Sequence, residues 1–412
     1  MEQQPRYIHL AWRLRRVKLL LSSCSIQAER FGIEANTLKM SSRFDGIDIL
    51  RGLSIAAVVL HHINLRFLIN EVPLEQTLPK LLSKVLFWNG ANGVTVFFAI
   101  SGFLITTMSL RRWGSLEAMH VSEFYKLRFA RIAPLLLALL AVLSVLHLAN
   151  VEGFVISPER ASLARALFAA LTFHINRLES LRGYLPASWD VLWSLSIEEV
   201  FYLFFPLICW LMKGRGALIA VLLAFVAIGP FARTVLTTNA LWADYGYLSC
   251  MDGIALGCLA ALLASVWRAN RWQLIALRIS GALLILLVMM ARPLVQLLHL
   301  YQLGLDFTAL ALGTCLVLIA VAQENKTGSW PSGWMRWLGR HSYEIYLTHG
   351  FVMMWGIQAY LALGLSSGGW LWYAIMFVLS AILGGAMAKW YSEPMNRRLR
   401  KGLRFGAAEA SG

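Results

Sequence analysis

The chain has 412 residues, of which 58% are apolar and 14% charged, and its mean hydropathy is +0.62. Soluble domains are nearer half apolar and a quarter charged, so this composition excludes an ordinary soluble protein and predicts a polytopic helical membrane protein. The net charge of +15 does not indicate a nucleic-acid partner, because the basic residues lie in loops between apolar runs, where the positive-inside rule places them.

The five cysteines carry no metal-binding or disulfide pattern. No CxxC or other paired spacing occurs among them, and four of the five fall in or beside apolar runs. The sequence therefore predicts neither a disulfide framework nor a zinc site, and we expect no bound metal ion.

Residues 1–42 form a basic N-terminal extension ahead of the first membrane-like pattern. Their only apolar core is too short for a signal peptide and is flanked by charges on both sides. Two interpretations stay open: the segment lies on an anionic membrane surface, or it is not native sequence and the protein starts at Met40. Residues 43–400 are then the membrane domain, and residues 401–412 a cytoplasmic tail.

Ten apolar segments approach the length of about 20 residues that a bilayer requires. With the N-terminus inside, ten spans place every large basic loop and both termini in the cytoplasm. A further short segment, 162–176, would move basic loops outward if it crossed, so we interpret 150–189 as an external excursion with a re-entrant or interfacial helix. The fold class is an all-α polytopic membrane bundle. The predicted spans are residues 48–69, 86–108, 129–149, 190–212, 217–236, 245–266, 276–298, 303–323, 340–362 and 370–391.

The first span carries an arginine near one end and a histidine pair near the other. Arg51 and His62 lie about 16 Å apart along a helix and nearly three full turns apart, so both side chains share one face. Ionisable groups at membrane depth usually face a protein interior or a wet cavity. The structural alternative makes Arg51 an interfacial anchor and His62 a helix–helix contact.

A small-residue run and two arginines follow near the cytoplasmic side. Ser101 lies towards the cytoplasmic end of the second span, and Arg128 and Arg131 share a face at the start of the third. Two such guanidinium groups suit phosphates, which arginine binds bidentately. Close helix packing is the alternative for the small residues, and positive-inside topology is the alternative for the arginines.

Two adjacent carboxylates, Glu198 and Glu199, lie inside the fourth span, one turn before Tyr202. Such residues are hard to explain structurally and favour a functional site. The first span runs outward and the fourth inward, so His62 lies about 9–12 Å and Glu198 about 12 Å from the outer face. Because a carboxylate raises the basicity of a neighbouring imidazole, we expect Glu198 to orient His62 as a general base.

Three features near the C-terminal half complete the pattern. Asp252 places a carboxylate inside the sixth span, where we expect it to line a cavity. Ser342, Tyr346 and His349 follow i, i+4, i+7 spacing and share one face, so His349 either lines the same cavity or bonds between helices. The dipeptide at 393–394, Glu-Pro, is predicted to end the last span in a structural role.

In this order, these stretches resemble the acyltransferase 3 family of integral-membrane acyltransferases, over about residues 43–400. The family's R-x10-H pair corresponds to Arg51 and His62, and its RxxR motif to Arg128 and Arg131. His61 stands where the family usually has an apolar residue, which leaves open which histidine acts. The resemblance rests on Asp48–Gly52 with His62, Phe97–Ile105, Arg128–Pro134, Trp193–Tyr202, Leu338–His349 and Glu393-Pro394.

The resemblance implies transfer of an acyl group, often acetyl or succinyl, from cytoplasmic acyl-CoA to a hydroxyl of a carbohydrate or lipid-linked glycan. It implies a multi-pass protein of the bacterial inner membrane that modifies surface polysaccharide. We expect His62 to act as general base, or through an acyl-histidine, with Arg51 at the cytoplasmic mouth. Arg128, Arg131 and Ser101 would hold or guide the acyl-CoA. The expected cavity residues are Glu199, Tyr202, Asp252 and His349.

Two other function classes stay open. A transporter or flippase for an anionic or acylated solute fits ten spans with buried charges, although no inverted repeat or pair of broken spans is visible. A membrane sensor without turnover fits less well, because it does not explain the combined Arg51, His62 and Glu198. We expect acceptor contacts at Tyr184 and Trp189 of the external excursion. The sequence identifies neither the acceptor, the acyl group nor the oligomeric state.

Overall fold

The computed structural model describes residues 44–72, 79–212, 214–237, 239–324, 330–365 and 369–401, which form helices and no β-strands. The predicted N-terminal extension, residues 1–42, and residues 402–412 of the predicted tail lie outside the described residues. A 3₁₀ turn (Trp330–Ser332) precedes the helix that begins at Gly333, and a π-helical turn (Ala388–Ser392) joins the helix that ends at Met387 to the one that begins at Glu393. The helices are α1 (Asp45–Ile69), α2 (Lys80–Phe87), α3 (Gly90–Trp113), α4 (Val121–Leu148), α5 (Leu163–Leu171), α6 (Ile175–Arg182), α7 (Ala187–Asp190), α8 (Leu192–Leu211), α9 (Arg215–Thr234), α10 (Ala240–Tyr245), α11 (Tyr247–Val266), α12 (Arg271–Met290), α13 (Arg292–Leu297), α14 (Asp306–Glu324), α15 (Gly333–Arg340), α16 (Ser342–Ala362), α17 (Gly369–Met387) and α18 (Glu393–Arg400).

The described part of the chain contains nine helical segments that are long and apolar enough to cross a membrane. This confirms the predicted polytopic bundle. The remaining predicted span, residues 340–362, corresponds to α16, which has 21 residues but is more polar than the nine. Its buried side chains include Glu344, Thr348 and His349. With α16, the described helices provide the ten predicted crossings.

The segment between α4 and α8 does not cross the membrane. Its two main helices, α5 and α6, have nine and eight residues, which is too short for a span. The structure therefore agrees with the prediction that residues 162–176 do not span.

The largest differences from the predicted boundaries are at the start of the third span, where α4 begins at Val121 rather than at residue 129, and at two prolines. The span predicted over 276–298 is α12, which ends at Met290, while Pro293 begins the separate helix α13, since proline is tolerated in a first turn. Glu393-Pro394 does not end the last helix, because α18 continues to Arg400 with Pro394 in its first turn. The wider π-helical turn just before it rearranges the carbonyls with which the proline ring would otherwise clash.

The two ends of the described chain lie on the same face of the bundle. Asp48 in the first turns of α1 pairs with Arg340 at the end of α15, at 3.4 Å. Ser392, just before α18, donates a hydrogen bond of 2.8 Å to Glu344 in the first turn of α16. Because this face also carries the basic loops, the positive-inside rule makes it the cytoplasmic face.

The inner end of α1 packs on α15 at backbone contact. A β-carbon on Gly52 would lie 2.1 Å from the carbonyl oxygen of Met335, and one on Gly339 would lie 1.8 Å from that of Asp48. Only glycine permits so close an approach of two helices. The contact fixes the position of Arg51, which is adjacent to Gly52.

A buried ion pair joins α9, α11 and α14. Arg233 Nη2 lies 2.8 Å from Asp252 Oδ2, and Thr308 donates to the same oxygen at 2.5 Å. The guanidinium also donates to the carbonyl oxygens of Ser249 and Gly304. The prediction that Asp252 lines the substrate cavity is therefore wrong, because both carboxylate oxygens are occupied in holding three helices together.

We expect Asp252→Leu to destabilise the protein by about 3–5 kcal/mol, because it leaves Arg233 as an unpaired buried charge. Removing both partners, in Arg233→Met with Asp252→Leu, should restore most of that stability. The measurement is thermal unfolding of the detergent-solubilised protein.

The matched control is Arg278→Gln, which breaks the pair with Glu324 on a side chain that is 40% exposed. Such a pair contributes about 1 kcal/mol or less. A loss in Asp252→Leu no larger than in this control would contradict a structural role for the buried pair.

Candidate active site

Arg51 lies at the inner end of α1 and is held by α16. Its Nε and Nη2 both donate to Ser342 Oγ, at 3.2 and 2.9 Å. The guanidinium is also within electrostatic range of Glu198 and Glu344. Arg51 remains partly accessible, as a residue at the predicted cytoplasmic mouth requires.

The two arginines of the RxxR motif contact different helices. The Arg128 guanidinium lies 3.6 Å from the ring centroid of Tyr202 on α8, and its Nε lies 3.9 Å from Glu199 Oε1. Arg131 instead makes contacts of 2.8 and 3.5 Å with the two carboxylate oxygens of Glu344 on α16. Arg131 is therefore closely neutralised, whereas Arg128 keeps more of its charge for a ligand.

Glu198 faces this inner group of arginines. Ser101 Oγ donates a hydrogen bond of 2.9 Å to Glu198 Oε1, and Glu198 is within electrostatic range of Arg51 and Arg128. The structure thus brings four predicted site residues together. It does not bring Glu198 to His62, which corrects the prediction that Glu198 orients that histidine.

His62 pairs with His349 of α16. His62 Nδ1 lies 3.0 Å from His349 Nε2, and the two rings stack with centroids 5.2 Å apart and planes inclined by 23°. His349 is fully buried, whereas His62 is partly accessible. The pair joins the outer half of α1 to the inner half of α16 in the interior of the bundle.

Hydrogen bonding fixes the tautomer of both rings. His349 Nδ1 lies 2.7 Å from the carbonyl oxygen of Tyr346 and 3.1 Å from that of Ile345. Because a carbonyl oxygen only accepts, this nitrogen carries the proton and His349 Nε2 is an acceptor. His62 Nδ1 must then donate to it, which leaves the lone pair on His62 Nε2. A general base requires such a nitrogen.

His61 has a different structural role. Its Nδ1 lies 2.6 Å from the carbonyl oxygen of Phe87, and its ring lies 6.0 Å from that of Trp88. A β-carbon on Gly90 would lie 2.4 Å from the His61 ring. His61 therefore holds the connection between α2 and α3, and the geometry favours His62 as the acting histidine.

The predicted distance of Glu198 from the outer face is wrong, because the segment that precedes α8 already lies inside the bundle before α8 begins. A β-carbon on Gly350 of α16 would lie 2.8 Å from Ser188 Oγ, so Ser188 is level with the adjacent His349 and thus with His62. Glu198 is ten residues further along the chain and one turn beyond Ser194 in the inward-running α8, which places it nearer the cytoplasm than His349.

Tyr346 connects the inner group to the histidine pair. Its hydroxyl lies 2.7 Å from Ser194 Oγ, and its ring centroid lies 5.9 Å from that of His349. It is within electrostatic range of both Asp190 and Glu198. The polar side chains along this route are all partly accessible, as expected for the lining of a passage: Arg51, Ser101, Arg128, Glu198, Tyr346 and His62.

Three residues of this region are absent from the predicted site. Glu344 and Asp190 lie inside predicted spans, so a charge at membrane depth was a signal available for both. Arg66 lies one turn beyond His62 on the same helix, which i, i+4 spacing reveals.

Of the two residues expected to contact an acceptor, Tyr184 is 58% exposed, but Trp189 is fully buried and cannot do so.

Comparison with known proteins shows that the chain is similar to acyltransferases. The acyltransferase 3 family model, described as an acyltransferase domain, matches residues 44–389. The peptidoglycan O-acetyltransferase OatA of Listeria monocytogenes is 27% identical over 329 residues, 74% of this chain and 48% of that protein. The O-acetyltransferase OatA of Staphylococcus aureus is 27% identical over 171 residues, 41% of this chain and 25% of that protein. This chain spans less than half the length of either relative, and no solved structure matches it.

We expect nuclear magnetic resonance of the isotope-labelled protein to show both His62 and His349 protonated at Nδ1 at neutral pH, because each donates from that nitrogen. Signals are assigned from His62→Ala and His349→Ala, each of which removes one ring. Loss of His349 should also shift the tautomer balance of His62. An Nε2-protonated His349 would contradict the hydrogen-bond chain.

Proposed function

Because the chain belongs to the acyltransferase 3 family, we propose that it transfers an acyl group from cytoplasmic acyl-CoA to a hydroxyl of a carbohydrate or lipid-linked glycan outside the bacterial inner membrane. The activities for which the two relatives are named favour acetyl as the group and a surface glycan such as peptidoglycan as the acceptor. The observation that carries the proposal is the His62–His349 pair, which lies in the bundle interior with an unprotonated nitrogen available.

Acyl-CoA enters from the cytoplasmic face in this proposal. The phosphates bind where basic side chains gather, near Arg128, whose guanidinium is stacked on Tyr202 and has only a distant carboxylate partner. The extended arm of CoA then carries the thioester past Ser101 towards His62, about 16 Å along α1 from Arg51. Charge-assisted contacts at the mouth and a narrow polar interior suit a ligand with an anionic head and a thin chain.

Arg131 supports this site rather than binding the donor directly. Both of its hydrogen bonds are to the buried Glu344, which also accepts a hydrogen bond from Ser392. The group of three joins α4, α16 and the π-helical turn. Its function is to fix α16, which carries both Ser342 against Arg51 and His349 against His62.

The chemical step uses His62 Nε2. It takes the proton of the acceptor hydroxyl while the oxygen attacks the thioester carbonyl, and the resulting imidazolium returns that proton to the departing CoA thiolate. The protonated ring still donates from Nδ1 to His349, so the pair accepts the charge without rearranging. A variant in which Nε2 attacks the thioester and forms an acyl-histidine uses the same geometry.

We expect His62→Ala to reduce transfer by about 10²–10⁴-fold, the usual contribution of a general base. His61→Ala is the matched control and should retain transfer, because that ring holds a loop carbonyl. The measurement is transfer of label from radiolabelled acetyl-CoA to isolated cell-wall glycan by the purified protein. Full activity in His62→Ala, or equal losses in both variants, would contradict the assignment.

We expect Arg128→Gln to raise the KM for acetyl-CoA by about 10–100-fold, since a charge-assisted contact contributes about 1.5–3 kcal/mol. Arg397→Gln is the control, because that side chain is 73% exposed on α18 and pairs with Glu393. Arg131→Gln should mainly lower the melting temperature, because it leaves Glu344 buried without its cation. An unchanged KM in Arg128→Gln would limit that arginine to a topological role.

A further inference from the structure

A second group of polar side chains lies beside the histidine pair on its outer side, and the donor path does not use it. Arg66 is on α1, one turn beyond His62. Glu179 is in α6, Asp190 ends α7 and Tyr245 ends α10. Four elements from three separate stretches of the sequence therefore contribute to one cluster.

Asp190 lies at the depth of the histidine pair. Ser188, two residues before it, packs on Gly350, and Ser194, four residues after it, meets the Tyr346 hydroxyl at 2.7 Å. These contacts place Asp190 between the levels of Tyr346 and Gly350 on α16, and His349 lies between the same two residues. The Asp190 side chain is nevertheless partly accessible.

Asp190 neighbours the fully buried Glu179. Glu179 Oε1 accepts from the backbone N–H of Leu185 at 3.1 Å, while no described partner satisfies Glu179 Oε2. Burial and the neighbouring Asp190 raise the pKa of the Glu179 carboxyl well above its ordinary value. This direction favours a neutral Glu179 beside a charged Asp190, and Asp190 lies within electrostatic range of Arg66.

Aromatic rings border the charged pair. Tyr245 stacks on Trp193 with centroids 3.9 Å apart and planes inclined by 5°, and its hydroxyl lies 3.5 Å from Asp190 Oδ1. Tyr184 meets Tyr245 edge-on, with centroids 6.2 Å apart, and is 58% exposed. Rings of this kind bury apolar C–H surface and still offer a polar hydroxyl.

The charges of this cluster differ from those of the cytoplasmic mouth. The positive charge of Arg66 and the negative charge of Asp190 balance each other, so this cluster suits a neutral ligand rather than a polyanion. A carboxylate accepts hydrogen bonds from hydroxyl groups, a guanidinium donates to an amide oxygen, and an exposed ring packs on apolar C–H groups. An N-acetylated sugar ring carries all three partners.

We propose that Asp190, Arg66 and Tyr184 form the acceptor subsite, which binds an N-acetylhexosamine unit from outside and presents one of its hydroxyls to His62. The proposal rests on the proposed function. Asp190 binds sugar hydroxyls, Arg66 donates to the acetamido oxygen, and the Tyr184 ring packs against the sugar. Glu179 is a positioning residue that acts through the neighbouring Asp190.

The test measures binding and transfer separately, with purified full-length protein in nanodiscs. The probe is the β-1,4-linked tetramer of N-acetylglucosamine, titrated by calorimetry and then used as acceptor with radiolabelled acetyl-CoA. Asp190→Asn and Tyr184→Ala should each weaken tetramer binding by about tenfold or more, with the affinity for acetyl-CoA unchanged. Tyr184→Ala is an exposed substitution, so it tests the subsite even where Asp190→Asn lowers stability.

Matched variants separate a subsite from a general structural effect. Glu159→Gln changes an exposed carboxylate of the same external segment and should leave binding unchanged. Glu179→Gln keeps a neutral polar group beside Asp190 and should bind the tetramer better than Glu179→Ala.

The outcomes distinguish this proposal from the proposed function. Failure of the wild type to bind the tetramer, or unchanged affinity in both Asp190→Asn and Tyr184→Ala, overturns the subsite. Wild-type binding without transfer of label, with affinity lost in the variants, supports the subsite and counts against the proposed function.

Discussion

Burial of charge inside a membrane requires a partner, and two buried ion pairs join described helices. Arg233 with Asp252 holds α9 to α11, and Arg131 with Glu344 holds α4 to α16. An unpaired ion in a low-dielectric interior is strongly destabilising, so each pair specifies which helices are neighbours. Arg51 completes the set by bonding a neutral hydroxyl on α16 instead of a carboxylate.

The polar helix α16 is the element on which the site depends. One face carries Ser342, Tyr346 and His349, which contact α1 and α8, and the opposite face carries Glu344, which contacts α4. These residues make the helix less apolar than the other crossings. They also place two functions on one helix. Ser342 and Glu344 hold the cytoplasmic arginines, and His349 sets the tautomer of His62.

The two sides of the site differ in charge. On the cytoplasmic side Arg131 is closely paired with Glu344, and Arg128 lies 3.9 Å from Glu199. On the outer side Arg66 faces Asp190, which lies beside the buried Glu179. A polyanionic donor and a neutral acceptor suit these two environments, and the histidine pair lies between them.

Periodicity, apolar length and charge determined the number of crossings, their direction and most of the ionisable residues at membrane depth, because each is a property of one helix. Contacts between helices were decided by the tertiary structure alone. Sequence depth counting paired Glu198 with His62, since it assumed that α8 begins at the membrane surface. The preceding segment instead enters the bundle, so Ser188 is level with His349 and Glu198 lies near the arginines. Helical spacing fixes the face of a residue, but only packing fixes how far each helix slides along its neighbours.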